Sequence, residues 1–460
     1  MFPNQFTDSL WGDEAFSVML SQKPLWEMIQ IVAKDTSPPL YYLSEHLWFK
    51  LFGTSEIAIR SLSFLFHLGT AIILFLLAKF LWNKKNAIWT AILVFLNPFL
   101  FTYAFEGRMY ALLTFTTTLS FYTYFRAFHD HNKKKNLKWK LFYSFAAAAA
   151  LYSHHFALLA FFVQGLWILP DLVNNLYKNS KRKARLNLFL KQFFSFAWPF
   201  LLTIILYLPW LPALYYQTTL VAGGFWLATP TLENFLGLIQ KFSIGAQTYK
   251  FKNLTVVLIV LLILSRQWQF KKKTDWILIS WFLLPLILTW SLSQVMQSIF
   301  FDRYLLFTIP ALVLILTSRK RTLISLPILL LIMAIFTWTD WHYFTHPNKR
   351  PFRELASYVH QELKPTDALI NWNSAAHHLW ETQYYDLTAP IYSPGGPLPF
   401  FVGTAQMTKK DVIYTPPPNS RIGVITSGPI EEVMIPDYQE KEIKEFADLK
   451  VIWLEKTVLD

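Results

Sequence analysis

The sequence predicts an all-α polytopic membrane protein of about ten transmembrane helices with a small C-terminal α/β domain outside the bilayer. Three observations lead there. Of 460 residues, 54% are hydrophobic and 18% aromatic while only 15% are charged, far below the roughly one quarter of charged residues in soluble domains. The apolar residues gather in stretches of roughly 15 to 25, the length that crosses a hydrocarbon core. Short basic clusters separate alternate stretches, so the net charge of +13 reports topology and not nucleic-acid binding. The chain has no cysteine, which excludes a disulfide framework, a thiolate nucleophile and a Cys-ligated metal.

The stretches cover residues 57–82, 87–105, 109–128, 139–153, 156–177, 193–216, 253–268, 274–293, 303–318 and 322–340. Several fall short of the ~20 residues an untilted span needs, so their ends are soft. Alternate loops carry Lys84 and Lys85; Lys133, Lys134, Lys135, Lys138 and Lys140; Lys178, Lys181, Arg182, Lys183, Arg185 and Lys191; Arg266, Lys271, Lys272 and Lys273; and Arg319, Lys320 and Arg321. By the positive-inside rule these loops are cytoplasmic. The loops between them hold only Arg108, then Lys241, Lys250 and Lys252, then Arg303. Residues 1–56 and everything after Asp340 are then extracytoplasmic. Residues 1–11 show neither the basic start nor the apolar run of a signal peptide, so an exporting span ahead of Met1 is expected.

The chain therefore divides into a first extracytoplasmic loop with an interfacial helix (1–56), a transmembrane domain (57–340) and a soluble extracytoplasmic domain (341–460). Ser37-Pro38-Pro39 opens the interfacial helix, with serine as N-cap and proline in the first turn, and it runs to about Phe52. Glu45, His46 and Lys50 among its leucines make it too polar to cross. In the loop 217–252, Gly223-Gly224-Phe225-Trp226 reads as a mobile aromatic stretch. Leu232, Phe235, Leu236 and Ile239 then follow at helical spacing, as a surface helix or a plain connector. After Asp340, residues 352–363 read as helix, 368–372 and 421–425 as strands, 439–446 as helix and 451–454 as strand. A proline- and glycine-rich stretch at 390–399 interrupts them.

Ionisable residues at the outer ends of the spans are the informative set, because a charge within the bilayer costs about 2.5–3.5 kcal/mol even on the lenient scale. They are Asp13, Glu14, Arg60, Glu106, Arg108, His154, His155, Asp302 and Arg303. Each also has a bland reading: a solvated acid pair, arginines snorkelling to headgroups, interfacial histidines. Adjacent histidines point in different directions on a helix and do not suit one shared metal ion. No HExxH, P-loop, DxD or glycine-rich dinucleotide pattern is present.

Five segments in order carry a resemblance. Ser9-Leu10-Trp11-Gly12-Asp13-Glu14-Ala15-Phe16-Ser17 comes first. Ser37-Pro38-Pro39-Leu40-Tyr41-Tyr42 follows, with Phe52-Gly53 and Arg60. Then come Glu106-Gly107-Arg108-Met109-Tyr110-Ala111-Leu112, Tyr152-Ser153-His154-His155, and Arg303-Tyr304-Leu305-Leu306 with Pro310. Together they resemble C-type (GT-C) membrane glycosyltransferases of the protein mannosyltransferase and aminoarabinose transferase kind. The resemblance covers most of residues 9–318. It departs at Ser37, where the family often has histidine, which weakens any role assigned there.

The resemblance implies transfer of a hexose or pentose from a polyprenyl phosphate to an acceptor hydroxyl at the outer face of the membrane, with inversion. An alcohol needs a carboxylate to take its proton, and the resemblance gives that role to Asp13, with Glu14 beside it. The lipid phosphate leaves as a stable anion and calls for cations, so Arg303 and Arg108 are expected to bind the donor phosphate. Glu106, His154, His155 and Arg60 would orient the substrates. The acceptor class, lipid, protein or polysaccharide, stays open. So does a divalent metal, because the family has members with and without one and no ligand set stands out. The modest length, without the long luminal insert of eukaryotic members, points to a bacterial plasma membrane. The alternative is a transporter or flippase of lipid-linked sugars, which should carry polar or broken helices at mid-membrane. The mid-span residues here are mostly Leu, Ile, Phe and Ala.

Overall fold

The computed structural model describes residues 3–130, 136–178, 185–246, 249–264, 272–318, 325–372 and 376–457. The basic clusters at 133–135, 181–183 and 319–321, together with Arg266 and Lys271, lie outside the described residues. In chain order the helices are α1 (Gly12–Ser21), α2 (Leu25–Lys34), α3 (Leu40–Phe52), α4 (Glu56–Leu81), α5 (Lys84–Phe95), α6 (Pro98–Ala104), α7 (Tyr110–Phe128), α8 (Asn136–Ser153), α9 (Ala157–Lys178) and α10 (Arg185–Tyr207). There follow α11 (Leu211–Ala222), α12 (Leu232–Ile244), α13 (Lys252–Leu264), α14 (Lys273–Leu292), α15 (Asp302–Leu305), α16 (Ile309–Thr317), α17 (Ser325–Thr345), α18 (Phe352–Glu362) and α19 (His378–Tyr384). The strands are β1 (Ala368–Trp372), β2 (Ile391–Tyr392), β3 (Val412–Ile413), β4 (Arg421–Thr426), β5 (Tyr438–Phe446) and β6 (Leu449–Lys456).

Residue contacts divide the chain into two units. One comprises Met1–Thr36, Tyr42–Leu62 and Phe344–Asp460; the other comprises Ser37–Tyr41 and Ser63–Tyr343.

In the first unit, a six-stranded sheet runs in the order β3-β2-β1-β4-β6-β5. β1 pairs in parallel with β2 and β4, whereas β6 is antiparallel to both β4 and β5. Period-2 alternation builds its two cores. Leu449, Val451 and Trp453 of β6 face Phe352, Leu355 and Val359 of α18, spaced three and four apart as one helix face requires. Ile452 and Leu454 join Ile370, Ile422 and Val424 on the other side.

The helix expected at 439–446 is instead strand β5. Its Glu and Lys residues favour a helix locally, but pairing with β6 supplies the backbone partners and overrides that preference. The charges suit an edge strand, which they protect from pairing with other chains. The hairpin turns at Ala447, whose φ of 54° is in the left-handed region and gives no Asn-Gly or Asp-Gly signal to the eye.

The N-terminal segment packs into the same unit. It contributes two helices, α1 and α2, where the sequence suggested loop. Phe16 meets Trp380 of α19 edge-on with ring centroids 5.5 Å apart. A Cβ on Gly12 would lie 2.4 Å from His377 Cβ, so only glycine allows the first turn of α1 this close to α19.

The second unit is helical. Each of the ten apolar stretches falls on helix in its described part. Among the described residues, α4, Phe194–Ala222, α14 and α17 are long and apolar enough to cross a membrane, and α5 with α6 makes a fifth candidate bent by 61°. The bend has a local cause. Asn97 caps α6 by accepting the Leu100 N–H at 3.1 Å, and Pro98 occupies the first turn. Exposed Leu65, Leu68 and Ile72 on α4 and Val257, Val260 and Leu261 on α13 form apolar surface that a bilayer accommodates and water does not. Inside, Phe121 of α7 stacks on Trp281 of α14 with centroids 3.7 Å apart. The stretch 225–227 is held in place, because Gln297 Nε2 donates to the carbonyls of Phe225 and Leu227 at 3.0 and 3.2 Å.

Candidate active site

In the first unit, Trp11 keeps an extended backbone as N-cap of α1 and the chain turns at once into helix. Asp13 and Glu14 thus occupy a helical first turn, where free N–H groups favour carboxylates, and not an exposed loop. The two acids have different surroundings. Glu14 is fully buried. Arg60 donates from Nε to Glu14 Oε1 at 3.0 Å and from Nη2 to Oε2 at 2.8 Å, and Lys349 Nζ donates to Oε2 at 2.8 Å. Burial alone would raise the Glu14 carboxyl, but the charges of Arg60 and Lys349 outweigh it and hold it at about 2. Arg60, itself fully buried, sends its other N–H groups to the carbonyls of Gln5 at 2.9 Å, Asp8 at 2.7 Å and Ser9 at 2.8 Å. Its guanidinium is inside the protein and does not snorkel.

Asp13 is half-buried and faces a cleft of about 570 Å³ that also takes in Trp11, Lys349, Arg350, His378 and Glu381. Burial, reinforced by Asp13 and Glu14, pushes the Glu381 carboxyl well above its usual range, although Arg350 and the Gly12 N–H pull the other way. The residues of this set beyond position 340 escaped the sequence reading. The available signals were His377-His378, a histidine pair like the one noted at 154–155, and Lys349-Arg350 just ahead of Pro351 and α18.

The second unit gathers residues from three turns far apart in sequence. Between α6 and α7 the chain reverses tightly, with the Arg108 N–H donating to the Glu106 carbonyl at 2.7 Å. Arg108 and Tyr110 are buried there. The Arg303 guanidinium, on α15, lies 5.4 Å from the Tyr110 ring centroid and 5.0 Å from that of Phe301. His154, between α8 and α9, has ring centroids 5.1 Å from Tyr304 and 6.4 Å from Tyr110. Burial, then the charges of His155, Arg108 and Arg303, hold His154 well below its usual range. Its Nδ1 accepts the Phe156 N–H at 3.2 Å, which places the proton of the neutral ring on Nε2. Glu106 and Asp302 act on the same neighbourhood, since both bear on Tyr103 along with Arg303. Asp302 is compensated by Lys241 Nζ at 2.9 Å.

His155 turns elsewhere. Its Nε2 meets Gln217 Oε1 at 2.7 Å, and Gln217 Nε2 donates to the Ser37 carbonyl at 3.3 Å. Glu106, Arg108, His154 and Arg303 therefore belong to one cluster, while His155 ties α11 to the Ser37-Pro38-Pro39 turn. Among the described residues no group of three or more His, Asp or Glu stands together to hold a metal ion. The divalent ion left open by the resemblance finds no donor set there.

The family model described as Dolichyl-phosphate-mannose-protein mannosyltransferase matches residues 36–198. Curated protein sequences give no match. Two crystal structures of ArnT from Cupriavidus metallidurans are similar along nearly the whole chain. The apo form aligns at a TM-score of 0.64 and 12% identity, covering 98% of this chain and 93% of that one. The form bound to undecaprenyl phosphate aligns at 0.63 and 12%, covering 98% and 94%. The Archaeoglobus fulgidus oligosaccharyltransferase, in complex with Zn and sulfate, aligns at 0.51 and 12% over 91% of this chain and 64% of its own length. Fold and family-model match thus agree with the resemblance carried by the motifs. The chain is a multi-pass membrane protein with the GT-C fold of membrane glycosyltransferases.

Proposed function

We propose that the chain is an inverting glycosyltransferase that moves a hexose or pentose from a polyprenyl-phosphate donor to an acceptor hydroxyl at the extracytoplasmic face of a bacterial plasma membrane, with its apolar stretches crossing ten times. The observation that carries this reading is the convergence of Arg108, His154 and Arg303, from three distant turns, around Tyr110 and Tyr304. A polyprenyl-phosphate donor is supported by the undecaprenyl phosphate bound to ArnT and by the dolichyl-phosphate description of the matching family.

In this mechanism Asp13 accepts the acceptor's hydroxyl proton as its oxygen bonds to the anomeric carbon. The bond from that carbon to the phosphate oxygen breaks on the opposite face, and the phosphate leaves with the electron pair. Arg303, lying over the rings of Tyr110 and Phe301, and Arg108, buried in its turn, stabilise that anion with planar, permanently charged donors. His154, neutral and with Nε2–H available to donate, orients donor oxygens, and Glu106 is placed to position the sugar or the arginines. Glu14 and Arg60 act at one remove. Their buried network fixes the first turn of α1 and hence the direction of Asp13.

The test supplies purified protein with labelled polyprenyl-phosphate sugars and compares wild type with Asp13→Asn. Transfer by wild type and a loss of about 10²–10⁴-fold in the variant is expected for removal of a general base. Equal transfer by both refutes the base. No transfer with any donor refutes the enzyme and favours transport.

A further inference from the structure

The cleft beside Asp13 contains polar atoms that the protein leaves without partners. Among the described residues, Glu381 Oε2, His378 Nδ1 and Trp11 Nε1 are buried and make no hydrogen bond. Glu381 and His378 are each only 1% exposed. Native proteins carry few such atoms, and water or a ligand usually meets them. All three residues line the same space of about 570 Å³, within the roughly 300–1,000 Å³ of small-molecule sites.

The chemistry of the walls selects the ligand. The cations are already matched, Lys349 with Glu14 at 2.8 Å and Arg350 with Asp448 at 2.9 Å. A phosphate or carboxylate would have to break one of these pairs and would face Asp13 as well. What remains is a mixture of donors and acceptors. Burial pushes the Glu381 carboxyl well above its usual range and so favours the protonated form, which can donate an O–H as well as accept. Burial also keeps His378 neutral, and its Nε2 stands 3.4 Å from the Ser427 hydroxyl. Trp11 adds an indole N–H and an aromatic wall. Neutral groups that both give and take hydrogen bonds, next to an aromatic surface, suit a ring bearing several hydroxyls.

We infer that this cleft binds a neutral saccharide ring and is the acceptor subsite, so that the hydroxyl deprotonated by Asp13 is a sugar hydroxyl and not a serine or threonine side chain. The acceptor assignment rests on the reading of Asp13 as base; the saccharide site does not. Glu381, carried by α19, is its central hydrogen-bonding group.

Saturation-transfer NMR on the full chain in lipid nanodiscs tests this. The probes are methyl α-mannopyranoside, methyl β-galactopyranoside, N,N′-diacetylchitobiose, glucose 6-phosphate and a Ser/Thr hexapeptide. Transfer to at least one neutral glycoside is expected, undisturbed by the hexapeptide or the phosphate ester. Glu381→Leu should weaken that binding roughly two- to twelvefold, while Glu381→Gln, a neutral group that still donates and accepts, should stay within about twofold. No transfer to any neutral glycoside, or displacement by the hexapeptide or phosphate ester, overturns the inference. If the leucine variant fails to fold, the wild-type titration and the glutamine variant still decide. Donor turnover on the same preparation separates the two readings. Asp13-dependent sugar transfer without glycoside binding overturns the saccharide cleft alone. Glycoside binding without any transfer overturns the glycosyltransferase reading and the acceptor role, and supports the saccharide site.

Discussion

Replacing Arg60 by methionine keeps the volume of an unbranched side chain and removes a staple whose five N–H groups are all used. Two go to Glu14 and one each to the carbonyls of Gln5, Asp8 and Ser9. Deleting one partner of a buried ion pair costs about 3–5 kcal/mol, because the other charge is left in a poor solvent. Lys349 still holds Glu14 at 2.8 Å, which sets the expectation at the lower end, about 3 kcal/mol. The depressed Glu14 carboxyl points the same way, since burial alone would raise it and the charges of Arg60 and Lys349 together outweigh that.

Thermal unfolding of a large membrane protein is a poor two-state measurement, so the assay should be local. Amide hydrogen exchange over residues 4–21 reports the opening of this segment, and about 3 kcal/mol predicts roughly 150-fold faster exchange there. Arg60→Lys keeps the charge but not the planar fork and should fall between wild type and methionine. Adding Glu14→Gln to Arg60→Met should recover part of the protection, since a buried amide tolerates the loss better than a buried carboxylate. Exchange in Arg60→Met within about threefold of wild type would refute the buried staple.

Further outcomes follow from the same geometry. The Glu14 carboxyl is depressed in the folded protein, so its stabilising contribution is complete above pH 4.5 and is lost as pH falls towards 2; exchange protection of residues 4–21 should drop over that window in wild type and be flatter in Glu14→Gln. Arg303→Ala should lower the transfer rate about 100- to 1,000-fold, and Arg303→Lys should restore only part, because an ammonium neither stacks on Tyr110 nor offers two parallel donors; wild-type rates in Arg303→Lys count against the fork. His155→Ala should cost about 1–3 kcal/mol through loss of the Gln217 bond. A double-mutant cycle with Gln217→Ala should then show coupling, and additive losses argue against the link.

How much of this was legible in the sequence depended on whether a residue's role is local. The apolar stretches announce themselves, and strands β1, β4 and β6 follow from runs of β-branched and aromatic residues. Glu106, Arg108, His154 and Arg303 stood out because ionisable side chains at the ends of apolar stretches need a reason to be there. Strand β5 was misread because its Glu- and Lys-rich segment has the local composition of a helix, and only β6 decides otherwise. Lys349 and Glu381 were missed for a stronger reason. Lys349 meets Glu14 across 335 positions of chain, and the basic pair Lys349-Arg350 signals charge ahead of α18 without revealing its partner, while nothing beside Glu381 marks it as buried.

The Gly12-Asp13-Glu14 triplet shows how three adjacent residues can answer three separate demands. Glycine at position 12 is required by backbone approach, since any Cβ there would collide with His377. Glu14 is required as an anion, because it is the carboxylate that pairs with both the buried Arg60 guanidinium and the Lys349 ammonium. Asp13 alone is left facing the cleft with Glu381 and His378. Asp13 and Glu14, one residue apart on a helix, point about 100° from each other, so the same turn that buries one acid presents the other. A Gly12→Ala change would therefore disturb catalysis without touching a reactive group, by pushing α1 away from α19 and turning Asp13 out of its place, and the buried Glu14 network would resist that movement.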